Sequence, residues 1–256
     1  MTAPLLKVTD ATKTFGSMRA VDNASFEVAT GSITGLIGPN GAGKSTLFGA
    51  IAGENGLTSG SVVFNGEDIA SLSATDIYAR GLSRTFQIPR PFPTMTVLEN
   101  VMLAATGQIG ERFWNTWFRP GAVARQEREI RERAAEVIQF CNLTAVERNL
   151  AGAISGGQKK LLELARVLMS DPKLILLDEP AAGVNPALLD TLVEKIVELN
   201  ARGKTFLIIE HNMDMVMSLC DPIVVLAQGK VICAGTPEDV ANNSAVIDAY
   251  LGEVVA

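Results

Sequence analysis

A single histidine, His211, is all that the 256 residues carry of that type, and the three cysteines, Cys141, Cys220 and Cys233, lie far apart with no C-x-x-C spacing. Their odd number and apolar neighbours exclude a disulfide framework and a zinc knuckle, and predict reduced core thiols in a cytosolic protein. Basic charge is also short. Lys plus Arg is 22 against 28 Asp plus Glu, a net charge of -6, which excludes bulk nucleic-acid binding as a role. The mean hydropathy of +0.23 is high for a soluble chain, yet no stretch supplies the ~18 to 20 consecutive apolar residues of a spanning helix. The opening MTAPLLKVTD has no basic region followed by an apolar one, so the chain is expected neither to cross a membrane nor to be secreted. It contains no internal repeat and no low-complexity segment.

What is present is a folded composition, 47% hydrophobic with 23 Gly and 11 Pro, long enough for one large domain or two small ones. Residues 1 to 37 read as β structure, with AVDNASFEV alternating apolar and polar and SITGLIG an apolar run closed by glycine. A helix, KSTLFGAIAG, follows Gly43. SVVFNGEDI holds an Asn-Gly turn, and ATDIYARGL is a short helix ended by Gly81. Between about 90 and 165 no convincing strand appears, and VLENVMLAA, the charged stretch from Arg125 to Phe140 and KKLLELARVLM all have helical spacing. The α/β pattern resumes with KLILLDE, a helix with Leu189, Leu192, Val193 and Ile196 on one face, TFLIIE, a helix after His211, and the strands IVVLAQ and KVICAG around Gly229. A capped helix begins at Thr236 and Pro237. This predicts one α/β domain with a parallel sheet covered on both faces, its core built from 1–89 and 166–256, with a helical subdomain, 90–165, inserted.

Residues 38 to 46 read GPNGAGKST, from Gly38 and Pro39 through Asn40, Gly41, Ala42, Gly43, Lys44 and Ser45 to Thr46, and satisfy G-x-x-x-x-G-K-[ST] between an apolar strand and a helix. Glycines let consecutive N–H groups point at one anion, and the helix start adds its positive end. Lys44 then neutralises the β and γ phosphates, and the Ser45 hydroxyl completes a Mg²⁺ shell. Such a site needs a carboxylate source. LILLDEP ends a buried strand in Asp178, expected on Mg²⁺ directly or through water, and Glu179, expected to orient or deprotonate an attacking water.

ISGGQKK places Ser155, Gly156, Gly157 and Gln158 at a helix start, a second anion site by the same physics. Two such sites in one chain resemble the ATP-binding cassette family, whose signature motif is SGGQ. The resemblance implies a P-loop NTPase core (RecA-like) of α/β class with an N-terminal antiparallel β region and an inserted α-helical signature subdomain. It also implies a head-to-tail dimer of ATPase subunits, same or different, each signature acting on the ATP and Mg²⁺ of its partner. By the same resemblance Phe15, in KTFG, takes the place of the aromatic that stacks on adenine, where the family more often has Tyr. Gln87, in RTFQ, matches the glutamine that reaches Mg²⁺ and the attacking water. AAGVNP matches the loop that crosses the dimer interface, with Asn185 where many members carry Asp. His211 matches the switch histidine that contacts the γ phosphate.

The run IEHNMDMVMSLCDPIVVLAQGKVICAGTPEDV, the ending AYLGE and AAGVNP look most like the ATPases of branched-chain amino acid importers, of the larger of their two types, and GQIGERFWNTWFRPGA resembles that type's extra loop. Urea and short-chain amide importers share the subfamily, and lipopolysaccharide-export ATPases share AGV-x-P and YLGE but not the loop. The partners so implied are a second ATPase subunit, two transmembrane permeases and a periplasmic or extracellular solute-binding protein, with the chain peripheral on the cytoplasmic face of the bacterial membrane. Cassette ATPases of DNA repair would carry a long coiled coil, and those of translation a second cassette in the same chain. A small-molecule kinase would lack the signature. Met213, Val216, Met217 and Cys220 fall at i, i+3, i+4 and i+7 and predict a buried helix face, not a soft metal site. Trp114, Trp117 and Phe118 share helical spacing and could pack inside the helical region or meet a membrane subunit.

Overall fold

The computed structural model describes residues 3–85, 90–111, 114, 117 and 120–251. These divide into two compact units, the first taking those up to residue 87 with Lys173–Ala182 and those from Ile196 on, the second those from 88 to 172 with Gly183–Lys195. The expected helical segment 90–165 falls in the second unit, together with the remainder of the helix that follows Ser155 and the start of the next.

In the first unit β1 (Leu6–Phe15), β2 (Met18–Val28), β4 (Ser59–Phe64) and β5 (Glu67–Asp68) form an antiparallel sheet in the order β2-β1-β4-β5. Alternation does the sorting in β2, where Ala24, Phe26 and Val28 point inward and Ser25 and Glu27 outward. The Asn-Gly signal is a true hairpin turn: Asn65 and Gly66 both have positive φ, 50° and 85°, the twist that suits two-residue connections.

The second sheet of this unit has the order β10-β9-β3-β8-β7-β6, built from β3 (Ile33–Ile37), β6 (Leu82–Arg84), β7 (Leu174–Asp178), β8 (Thr205–Ile209), β9 (Ile223–Ala227) and β10 (Lys230–Gly235). Only β10 runs antiparallel to its neighbour. Every residue of β3, β7 and β8 is buried, which is why these segments read as unbroken apolar runs rather than alternating ones. Leu36 lies opposite Ile209, and Ile209 opposite Asp178. The carboxyl ends of three neighbouring strands therefore finish at one level, the edge where open α/β sheets bind ligands. Helices α1 (Lys44–Ile51) and α2 (Ala74–Ala79) precede β6 in the chain.

The second unit is helical, with α3 (Val97–Leu103), α4 (Pro120–Phe140), α5 (Gly156–Leu168) and the start of α6 (Pro186–Ala201). Thr96 and Glu99 form a reciprocal cap at the start of α3. The expected α6 face is present, Leu192 and Ile196 buried, Leu189 and Val193 half-buried. In α7 (Met213–Leu219) the buried face is rotated from the expected one: Met215, Val216 and Cys220 are buried, while Met213 and Met217 are only half-buried. Gly35 of β3 sets that face, since a Cβ there would lie 3.1 Å from Cys220 Cβ and 3.5 Å from Val216 Cγ1. The chain ends in α8 (Pro237–Ala241), capped reciprocally by Thr236 and Asp239, and α9 (Ser244–Leu251).

No helix among the described residues is long and apolar enough to cross a membrane, and no three or more His, Cys, Asp or Glu among them gather into a metal site. Trp114 and Trp117 are exposed, at 69% and 75%, so packing inside the helical region does not describe them, and Phe118 lies outside the described residues. Burial pushes the Cys141 and Cys220 thiols up to about 12, leaving both protonated and unreactive at neutral pH. Cys233 is half-buried. A limiting maleimide titration of the folded protein, read by peptide mass spectrometry, should therefore modify Cys233 before Cys141 or Cys220, and all three only after denaturation.

Candidate functional site

The loop from Gly38 to Gly43 leaves the carboxyl end of β3 and curls by steric necessity. Gly38 has φ 150° and Gly43 φ 99°, and a Cβ would lie 1.9 Å from Leu226 O at the first and 2.2 Å from Ala20 O at the second. No other residue fits either position. Gly43 is the N-cap of α1 and brings no side chain to it, so the first N–H groups of the helix face the cavity without a protein cap. Lys44 is 5% exposed, its Nζ donating to Gly38 O at 2.7 Å and Pro39 O at 2.9 Å. The loop's own carbonyls thus hold the ammonium at the mouth of a cavity of about 530 Å³, lined by Asn40 to Thr46 together with Met18, Arg19, Glu179, His211 and Gly229.

Opposite the loop stand the ends of β7 and β8. Asp178, 5% exposed, accepts from Arg84 Nη2 at 2.7 Å through Oδ2, while Oδ1 takes no hydrogen bond among the described residues. Arg84 also donates from Nη1 to Glu54 Oε2 at 2.6 Å and lies over the Phe48 ring, 5.9 Å from its centre. Glu179 adopts φ 47°, a left-handed conformation that costs a non-glycine residue on the order of 1 kcal/mol or more and collects at functional sites. That turn swings its carboxylate toward β8, where Glu179 Oε1 lies 3.3 Å from His211 Nε2. A carboxylate and an imidazole in contact at the rim of a phosphate loop can hold a water and exchange a proton with it.

The sequence-derived candidates therefore separate into groups. Gly38 to Thr46, Asp178, Glu179 and His211 all belong to the first unit, and all but Gly38, Pro39 and Asp178 line the cavity itself. Phe15 ends β1 at a hairpin tip, 47% exposed beneath the Lys13 ammonium at 5.2 Å, and it is Met18 and Arg19 that reach the cavity wall. Gln87 lies outside the described residues. Ser155, Gly156, Gly157 and Gln158 belong to the second unit, where Ser155 Oγ accepts from Gln158 N at 3.2 Å and Gln158 Oε1 from Ser155 N at 2.9 Å. A Cβ at Gly157 would lie 1.5 Å from Leu188 Cδ2, so a larger residue there requires the Leu188 side chain to turn away. Asn185 caps α6, accepting from Leu188 N at 2.9 Å, a task that Asn performs as well as Asp. Sequence reasoning missed Arg84, because a buried ion pair between residues so far apart in the chain has no local pattern.

The site so built is that of a P-loop nucleotide hydrolase. The family model described as ABC transporter matches residues 21–182, and a second, described as branched-chain amino acid ATP-binding cassette transporter, matches 230–256. The chain belongs to the ABC transporter family and is of its ATP-hydrolysing kind. It is 42% identical to the "Probable branched-chain amino acid transport ATP-binding protein LivG" of Archaeoglobus fulgidus, over 97% of this chain and 95% of that one. It is 41% identical to the high-affinity branched-chain amino acid transport ATP-binding protein BraF of Pseudomonas aeruginosa, over 99% and 100%. Among solved structures, a nucleotide-free ATP-binding cassette from an ABC transporter is similar at a TM-score of 0.84 and 37% identity over 97% and 99% of the two chains. The ADP conformation of such a cassette gives 0.85 and 37% over 98% and 100%.

Arg84→Met leaves the buried Asp178 carboxylate without its counter-charge and should cost roughly 3 kcal/mol of stability. Urea unfolding measures this, and the double variant with Asp178→Asn should recover most of the loss.

Proposed function

We propose that this chain is the peripheral ATPase that drives import of branched-chain amino acids, or related small amino acids and amides, through a pair of membrane permeases. The full-length likeness to LivG and BraF and the C-terminal match over 230–256 support the solute class. The chain acts as a dimer of ATPase subunits at the cytoplasmic face of the bacterial inner membrane, with a solute-binding protein delivering cargo on the far side. Its one domain comprises the nucleotide-binding core, 1–89 and 166–256, and the helical signature subdomain, 90–165.

The contact between Glu179 and His211 beside the uncapped start of α1 carries the mechanistic reading. The N–H groups of the loop and Lys44 bind the β and γ phosphates, Lys44 exchanging the Gly38 and Pro39 carbonyls for phosphate oxygens. Phe15 stacks on the adenine. Ser155, Gly156, Gly157 and Gln158 present a second helix N-terminus to the γ phosphate held by the partner subunit. An oxygen donor set of Ser45, Gln87 and Asp178 suits Mg²⁺, and the Asp178 oxygen left without a hydrogen bond fits that role. Bound there, the ion neutralises charge on the phosphate oxygens. Glu179 takes the proton of the attacking water as oxygen bonds to the γ phosphorus and the bond to ADP breaks, while His211 holds the transferred phosphoryl group in line.

Glu179→Gln should bind ATP and form the dimer on size exclusion, yet hydrolyse roughly 10²- to 10⁴-fold more slowly. Turnover near that of the native chain would remove Glu179 from this role. In vesicles reconstituted with its permeases, ATP-dependent leucine uptake tests the solute class, and uptake of urea or an amide in its place would reassign it.

A further inference from the structure

Glu210, between β8 and His211, is 3% exposed and has no cationic partner among the described residues. Bare burial of a carboxylate is costly, and here three backbone N–H groups offset it. Oε1 accepts from Ala181 N at 2.6 Å, and Oε2 accepts from His211 N at 2.8 Å and Asn212 N at 3.0 Å. Ala181 is the second residue after Glu179, so one carboxylate joins the loop of Glu179 to the loop of His211. Two backbone bonds also tie the Glu179 turn, Glu179 N to Ile209 O at 2.9 Å and Ala182 N to Glu179 O at 3.1 Å. They hold the strained φ of 47° in place but do not reach His211.

We infer that Glu210 is the positioning residue of the hydrolytic pair, setting the separation of Glu179 from His211 through its two oxygens; this rests on the roles proposed for those two residues. The chemistry demands an ionised carboxylate. Every group aimed at Glu210 is a donor, and only a carboxylate offers acceptors on both oxygens with no donor of its own. A glutamine would turn its NH₂ against Ala181 N–H or against those of His211 and Asn212. Aspartate, one methylene shorter, could not span both loops. Among the described residues no hydrogen bond joins the phosphate loop to Glu210, so nucleotide binding should be spared.

The test uses the full chain with Glu210→Gln, and Ala181→Pro as a second variant that removes the same bond from the donor side. Thermal unfolding establishes that each is folded, affinity for a fluorescent ATP analogue in EDTA reads the phosphate loop, and steady-state hydrolysis gives kcat and KM. A misplaced pair should lower kcat roughly ten- to a hundredfold, with KM and analogue affinity within about twofold of native. Because Glu210 acts in part through Glu179, the loss in the double variant Glu179→Gln/Glu210→Gln should be smaller than the product of the two single losses. Native kcat in a folded Glu210→Gln, a parallel loss of analogue affinity, or fully multiplicative losses in the double variant would each overturn the inference. Should Glu210→Gln not fold, Ala181→Pro decides by the same measurements. A slow Glu179→Gln beside a native-like Glu210→Gln sinks this inference alone, whereas a native-like Glu179→Gln sinks the mechanism on which it rests.

Discussion

Everything at the site depends on the parallel register of β3, β8 and β7. Leu36 faces Ile209 and Ile209 faces Asp178, so the three strands deliver their next residues to one edge at one height. From β3 comes the phosphate loop, from β7 the pair Asp178 and Glu179, and from β8 His211. A slip of one residue in β7 would turn Asp178 to the opposite face of the sheet. The complete burial of all three strands opposes such a slip, because every alternative register exposes apolar area and breaks ladder bonds. Buried, largely hydrophobic strands, of which only Asp178 at the end of β7 belongs to the candidate site, thus set the geometry of that site.

Two helix starts of the chain are built for different tasks. The N-terminus of α1 has a glycine where a capping side chain would stand, leaving its N–H groups for a ligand and its charge to Lys44. The N-terminus of α5 is satisfied by its own Ser155 and Gln158 while Ser155 and Gly156 remain exposed. A self-capped helix end keeps its shape without a ligand and still carries its dipole. Glycine serves both, for unlike reasons: backbone carbonyls crowd Gly38 and Gly43, and a leucine side chain crowds Gly157.

Legibility in the sequence followed the distance over which each interaction acts. The phosphate loop and the SGGQ turn are contiguous, and their chemistry is visible in a few adjacent letters. Asp178 and Glu179 were visible because an apolar run ends in acid. The α7 face was misplaced by part of a turn, since packing against Gly35, and not the spacing of methionines, decides which side is buried. Arg84 was invisible, its value arising only when β6 pairs with β7 and brings it to Asp178. Glu210 read as the polar end of a strand, and only the turn back of the chain after Glu179 gives it a second loop to hold.

The sequence by itself determined the α/β class, the glycine-rich loop at 38–46, the acidic strand end and, by resemblance, the family, because each is written in local pattern or in contiguous motif. Tertiary structure alone decided that Glu179 meets His211, that Arg84 balances Asp178 and that one buried carboxylate spans two loops. Those contacts join residues far apart in the chain, and their partners are chosen by strand order and register, which no short stretch of residues encodes.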